Sequence, residues 1–197
     1  MVIINRDKSQ AYQDEFALRA CGYNYTYVEI GGAHPDQNSN TFQLEVNHFW
    51  RGFSVELNEA NYRQMWETDL YRKNKIYWAN AIDFDYVAAA KENDLPMHMG
   101  YLSLDIDPAP QTFAATKRVL EQGLTFNCIT FEHDLYCSTE DYNVIGTKYL
   151  TDLGYKIAVT DVYDDHPHVH IETWFVAPHI DFPRMTFDEF KIGRAHV

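Results

Sequence analysis

The sequence predicts an α/β fold in which a mostly parallel seven-stranded sheet is covered by helices on both faces and ends in an antiparallel hairpin. Along the 197 residues, short apolar runs rich in β-forming residues alternate with segments of helix length, which is typical of βαβ units. The sixth and seventh runs are joined by only eight residues, 163–170. The predicted strands are 25–30, 52–57, 75–80, 100–106, 126–132, 155–162 and 171–176, and the predicted helices are 39–48, 59–70, 84–93, 110–122 and 140–153.

The connection between the last two strands determines the type of sheet. A parallel crossover needs about a dozen residues or more, so residues 163–170 are too few and these two strands should pair antiparallel. Five parallel strands, a helix and a terminal hairpin are together the layout of the Rossmann-like class I methyltransferase fold.

The first strand leads into the loop that limits the choice of ligand. The stretch YVEIGGAHPDQNSNT (27–41) has an acid, Glu29, at the strand end and then the pair Gly31–Gly32. A dinucleotide site would need G-x-G-x-x-G and a P-loop would need G-K-[ST], and neither is here. A ligand without phosphate, such as S-adenosylmethionine, needs only an acid at the strand end and glycines that let the backbone approach the ligand closely. The alternative is an ordinary turn whose glycines supply positive φ.

The second and third strands end in further polar side chains. Glu56 ends the second strand, 27 residues after Glu29, and Asn58 follows as the predicted N-cap of the next helix. An acid at this position can accept hydrogen bonds from both ribose hydroxyls, although a solvated acid at a strand end is also common. The third strand ends in WANAID, where Asn80 and Ala81 are predicted to lie at the edge of the adenine.

The fourth and fifth strands end in a cluster of titratable residues. Methyl transfer to a hydroxyl needs a general base or a metal that lowers the hydroxyl pKa. His133 is the natural base, because its ordinary pKa lies near neutrality, and Asp105 is the second catalytic candidate. The carboxylates could instead hold one Mg²⁺ through oxygen ligands, or only cap helices. The predicted metal ligands are Asp105, Asp107, Glu132 and Asp134.

Composition predicts one domain over residues 1–191. The formal charge of −13 argues against non-specific binding to nucleic acid or membrane. The N-terminus lacks the features of a signal peptide, which predicts a cytoplasmic protein, and the three widely spaced cysteines predict reduced thiols. The last six residues, IGRAHV (192–197), resemble the translation of a sequencing adapter, and we interpret them as a non-native tail.

Taken together, the segments resemble the FkbM-type family of S-adenosylmethionine-dependent methyltransferases over most of residues 9–178. The resemblance implies O-methylation, often of sugar or polyketide hydroxyls. Two departures stand out: His34–Pro35 where a third small residue is expected, and Asp107–Pro108 where many members have an acid–glycine pair. The matching blocks are SQAYQDEF (9–16), YVEIGGAHPDQNSNT (27–41), WRGFSVELN (50–58), YLSLDIDP (101–108), ITFEHDLY (129–136), LGYKIAVTDV (153–162) and ETWFVAP (172–178).

The resemblance also assigns site residues. It places Glu29, Gly31, Gly32, Ser39 and Asn40 in the cofactor loop, matches Glu56 to the ribose acid, and puts Asp105 near the reacting centre.

The expected partner is therefore a small-molecule acceptor, with carbohydrate as one class. Two other readings stay open, namely a metal-dependent hydrolase on a similar sheet and a non-catalytic binding protein that keeps the pocket. The segment HPHVH has His166, His168 and His170 at alternate positions and is expected on the same edge of the sheet as the cofactor, either as ligands or as a solvated loop.

Overall fold

The computed structural model describes residues 9–66, 71–133 and 139–193. Its centre is an eight-stranded sheet with the order β3-β2-β1-β4-β5-β7-β6-β8. The strands are β1 Thr26–Ile30, β2 Arg51–Glu56, β3 Lys75–Trp78, β4 His98–Leu104, β5 Thr125–Glu132, β6 Lys156–Val162, β7 Glu172–Val176 and β8 Met185–Thr186. The helices are α1 Gln13–Cys21, α2 Phe42–His48, α3 Glu59–Asn61, α4 Tyr86–Glu92, α5 Ala109–Glu121, α6 Tyr142–Asp152 and α7 Phe187–Ile192. A π-helical turn, Tyr62–Trp66, continues α3.

The sheet topology confirms the predicted layout. Strands β1 to β5 pair in parallel, and β7 lies antiparallel between β5 and β6. The seven predicted strands all form, with ends shifted by at most two residues. The prediction of seven strands was one short, because β8 adds to the outer edge of β6 in parallel. A two-residue strand has no apolar alternation by which a sequence pattern could reveal it.

The order of the strands places the ligand edge. Strand β1 lies beside both β2 and β4, with Glu29 in register with Ser54 on one side and Ser103 on the other. The chain leaves β1 toward β2 and later returns to β4 on the opposite side, so the switch point of the sheet lies at the carboxyl end of β1. In doubly wound sheets this is where ligands bind.

Each face of the sheet carries its own apolar layer. Neighbouring residues such as Tyr27 and Val28 point to opposite faces and belong to different core clusters. Helices α4, α5 and α6 cover one face, and α1, α2 and α7 contribute buried side chains to the other. Cys21 and Cys128 are free thiols with Sγ atoms 3.7 Å apart; Cys137 lies outside the described residues.

Two helices were not among the predicted elements. In α1, four residues are buried and two of them, Gln13 and Asp14, are polar, so its buried face lacks a clear apolar stripe. Helix α7 has six residues and starts with a capping box between Thr186 and Glu189. It includes Ile192, the first residue of the predicted tail. Within the described ranges, no helix is long and apolar enough to cross a membrane.

Candidate active site

A cleft of about 960 Å³ opens at the carboxyl ends of β1, β2, β3 and β4. It lies at the switch point of the sheet, where the sequence predicts the ligand. Every residue predicted to bind the cofactor lines this one cleft, although these residues come from four separate segments of the chain. They are Glu29, Gly31, Gly32, Ser39, Asn40, Glu56, Asn80, Ala81 and Asp105.

Gly31 is required by the packing of the loop after β1. Its φ is +88°, and a Cβ built on it would lie 1.7 Å from the carbonyl oxygen of Asp105. The Gly31 N–H donates to the Val55 carbonyl at 3.0 Å. A side chain at this position would therefore force the loop away from the end of β4, and the glycine brings the loop and Asp105 together on one wall of the cleft.

The carboxylate of Glu29 is held almost entirely by protein donors. Its side chain accepts hydrogen bonds from Ser54 at 2.6 Å and Ser39 at 3.4 Å, and lies 3.5 Å from the Arg72 guanidinium. Burial raises the pKa of Glu29, and the charge of Arg72 acts against that increase. With 2% of its surface exposed, Glu29 mainly fixes the loop in place and offers the cleft only a small part of its side chain.

Arg72 organises this loop and was not identified from the sequence. Its guanidinium donates to the Glu45 carboxylate at 2.6 Å, the Pro35 carbonyl at 2.9 Å and the Thr41 hydroxyl at 2.8 Å. It also lies 4.4 Å from the centre of the Trp66 ring. In the sequence, Arg72 belongs to the basic cluster YRKNK (71–75), and nothing local distinguishes it from its solvated neighbours.

Glu56 lies at the end of β2 with one carboxylate oxygen already bound. Its Oε1 accepts the Asn58 N–H at 2.6 Å, and none of the described hydrogen bonds uses Oε2. Asn58 caps α3 as predicted, accepting from the Ala60 N–H at 2.9 Å. Beyond β3, Asn80 and Ala81 line the neighbouring wall, where the Asn80 side chain accepts the Ile82 N–H at 3.1 Å.

Asp105 follows β4 and lies between an amide and a second carboxyl group. Asn40 Nδ2 lies 3.4 Å from Asp105 Oδ2 and donates to Ser103 Oγ at 3.0 Å. The Asp105 carboxyl group also interacts with the side chain of Glu132 at the end of β5. Burial raises the pKa of Asp105; the contact with Glu132 opposes the increase and the charge of Asp107 adds to it.

The predicted magnesium site is not supported. In residues 9–66, 71–133 and 139–193, no group of three or more His, Cys, Asp or Glu side chains is arranged to hold a metal. Asp107 is exposed at the rim of the cleft, and Glu132 is not part of the cleft lining. Asp134 lies outside the described residues.

His133 does not line the cleft, so its location does not support the role of general base. The residue is completely buried. Its ring Nε2 lies 3.4 Å from Thr173 Oγ1 of β7, and its backbone N–H donates to the Ile171 carbonyl at 2.9 Å. The antiparallel strand β7 covers the side of β5 toward which the ring turns. Burial lowers the pKa of His133 to about 4, a value that suits a neutral structural side chain.

The buried imidazole should make the protein less stable in mild acid. In the unfolded chain His133 takes up a proton near pH 6.5, but in the folded protein only near pH 4. Between these values the unfolded state binds more protons, so the free energy of unfolding falls as the pH falls. We expect His133 to contribute up to about 3 kcal/mol of this loss.

Urea denaturation at pH 7 and at pH 4.5 would measure this loss in the free energy of unfolding. In His133→Gln the loss between the two pH values should be smaller, and the affinity for S-adenosylhomocysteine should not change. The exposed residue His168 provides the matched control, because His168→Gln should keep the full pH dependence. Equal pH dependence in His133→Gln and in the original protein would show that His133 is not the titrating group.

The histidines of HPHVH lie in the connection between β6 and β7, and none of them lines the cleft. His166 pairs with Asp164 at 3.3 Å and His170 with Asp161 at 3.4 Å, while His168 is exposed. Each pair lies within or beside its own turn. The connection therefore lies at the carboxyl edge of the sheet, as expected, because β6 runs parallel to β5. Its histidines do not line the cleft, and the arrangement matches the solvated loop.

Comparison with solved structures identifies the architecture. Magnesium protoporphyrin IX methyltransferase from Synechocystis, crystallised with bound SAM, aligns with a TM-score of 0.56 at 12% identity, over 85% of this chain and 79% of that one. An rRNA methylase from Streptococcus thermophilus aligns with a TM-score of 0.53 at 7% identity, over 83% and 93%. The fold is that of the class I methyltransferases.

A third similar structure, described as a hemolysin from Streptococcus thermophilus, has a TM-score of 0.54 at 12% identity, over 86% of this chain. This chain spans 66% of that protein's length. The sequence matches no protein-family model and no curated protein sequence. At these identities the likeness establishes the fold alone.

Proposed function

We propose that the protein is an S-adenosylmethionine-dependent methyltransferase of the FkbM type, which O-methylates a hydroxyl of a sugar or another small acceptor. The observation that carries the proposal is the charge of the cleft. Its described lining contains four carboxylates and neither lysine nor arginine. Such a cleft suits a ligand that is cationic and lacks phosphate, whereas a dinucleotide would require phosphate-binding groups.

The residues of the cleft fit this cofactor. Glu56 Oε2 is available to accept the ribose hydroxyls, and Asn80 and Ala81 form the wall beside it. Asn40 Oδ1 is buried and has no hydrogen-bond partner among the described residues. A buried acceptor of this kind is costly unless a ligand supplies a donor, and an ammonium or hydroxyl group would do so.

Asp105 is the proposed general base. When bound, S-adenosylmethionine supplies a methyl group on a positively charged sulfur, and the acceptor hydroxyl must lose its proton as the new bond forms. Burial raises the pKa of Asp105, which brings a carboxylate closer to the value that suits a base near neutral pH. The Asn40 amide holds one Asp105 oxygen, and Glu132 contacts the same carboxyl group.

The rest of the lining suits a hydroxylated, uncharged acceptor. Gln10, Gln37, Asn38 and Gln111 supply neutral donors and acceptors around the mouth of the cleft. Neutral amides can bind sugar hydroxyls without the cations that phosphate groups require. The net charge of −13 also disfavours RNA, although one protein of similar fold is an rRNA methylase.

Replacing Asp105 tests the proposal. We expect Asp105→Asn to reduce turnover about a hundredfold or more, because the amide cannot take up the hydroxyl proton. The measurement is transfer of labelled methyl groups from S-adenosylmethionine to a panel of monosaccharides, disaccharides and small alcohols. Asp94→Asn is the control, since Asp94 is a fully exposed residue of a turn. Transfer at the original rate in Asp105→Asn would exclude Asp105 as the base.

A further inference from the structure

His34 has an unusual position in the cofactor loop. It replaces the third small residue expected there, and its side chain lines the cleft with 29% of its surface exposed. Among the described lining residues it is the one side chain that can carry a positive charge. The proposed cofactor has one negative group, the carboxylate of its methionyl part, and four protein carboxylates surround the cleft.

The loop fixes the orientation of the His34 ring. Nδ1 faces the loop backbone and accepts the N–H groups of Gln37 at 3.0 Å and Asp36 at 3.3 Å. A ring nitrogen that accepts N–H groups carries no proton, so a neutral imidazole held in this way has its proton on Nε2. The described hydrogen bonds leave Nε2 unused.

A second proton on the ring would not change the role of Nε2. The Asp36 carboxylate lies 2.9 Å from Nδ1, so a protonated Nδ1 would face a carboxylate and form an ion pair. With Nδ1 accepting the backbone N–H groups, and also with both ring nitrogens protonated, Nε2 is an N–H donor on the side of the ring away from the loop backbone. A general base would need a lone pair on Nε2 and therefore a proton on Nδ1 alone, where the two backbone N–H groups compete with it.

We propose that His34 Nε2–H binds the carboxylate of the cofactor's methionyl group and makes the cleft selective for ligands that retain this carboxylate. The inference rests on the proposed function, because it takes the cofactor as given. In a cleft lined by acids, a carboxylate without a donor would be repelled, and His34 supplies that donor. Hydrogen bonds to charged groups are among the stronger ones in proteins.

The test compares two ligands that differ only in this carboxylate. S-adenosylhomocysteine and its decarboxylated analogue would be titrated calorimetrically into the original protein, His34→Ala and His34→Gln. We expect His34→Ala to bind S-adenosylhomocysteine about tenfold or more weakly and the analogue within about twofold of the original. His34→Gln should recover part of the lost affinity, because its amide retains an N–H donor.

The outcomes separate the inference from the proposed function. Equal losses for both ligands in His34→Ala and His34→Gln, or no loss in either variant, would overturn the role of His34. Normal binding of S-adenosylhomocysteine by both variants, combined with lost methyl transfer, would overturn it in favour of a base. If the original protein, shown to be folded, binds neither ligand, the proposed function itself fails, and the inference with it.

Discussion

Replacing Arg72 with methionine should reduce the free energy of unfolding by about 3–5 kcal/mol, since breaking a buried ion pair leaves an uncompensated charge. Arg72 lies 3.5 Å from Glu29 and donates to Glu45 at 2.6 Å, and all three side chains are buried. The variant would leave two buried carboxylates without their cation. Methionine fills a similar volume, so the effect reports on the lost charge and hydrogen bonds.

Urea denaturation followed by tryptophan fluorescence would measure this effect. Arg51→Met is the matched control, because Arg51 is 57% exposed and its guanidinium contacts backbone carbonyls at the surface. The free energy of unfolding of Arg51→Met should fall by less than about 1 kcal/mol. Similar losses in both variants would show that the network around Arg72 contributes no more to stability than the surface contacts of Arg51. The loop after β1 would then be held by other contacts.

Replacing Glu56 with alanine should weaken the binding of S-adenosylhomocysteine at least tenfold, which corresponds to about 1.4 kcal/mol. In the proposed complex Glu56 accepts hydrogen bonds from both ribose hydroxyls, and no hydrogen bond among the described residues uses its Oε2. Calorimetric titration would measure the affinity directly. The variant should remain folded, because the Asn58 N–H that it releases lies near the surface and can bind water.

Glu59→Ala is the matched control for that variant. Glu59 is three residues further along the chain and pairs at the surface with Arg63 at 2.7 Å. It does not line the cleft, so its loss should leave the affinity unchanged. Unchanged affinity in Glu56→Ala as well would remove Glu56 from the site.

The sheet could be predicted because its signals are local. Each of the seven longer strands is an apolar run of its own, and the short connection 163–170 excludes a parallel crossover. Helix α7 and strand β8 are too short to carry a period of their own. Their positions depend on packing against β6, which involves residues distant in sequence.

The candidate site was predictable in part, for a related reason. Acids at the ends of parallel strands meet at one edge of the sheet whatever their side chains contact, so Glu29, Glu56 and Asp105 were placed correctly in one cleft. Their partners depend on tertiary contacts. Arg72 lies 43 residues after Glu29 in the chain, and its burial cannot be read from the polar run around it.

His133 illustrates the limit of reasoning from strand ends. It follows directly after β5 and next to an acid, as a catalytic histidine would. The neighbouring strand on that side is the antiparallel β7, and its Thr173 occupies the position toward which the ring turns. The pattern gives the end of the strand but not the side chain that covers it.

The central claim is that the acidic cleft binds S-adenosylmethionine, and titration of the protein with S-adenosylhomocysteine tests it most directly. The product is preferable to the cofactor because it cannot react during the measurement. We predict binding at micromolar concentration or below, with one ligand per chain. A folded sample that releases or absorbs no heat of binding at millimolar ligand would contradict the claim, and the glycine pair after β1 would then serve only as a turn.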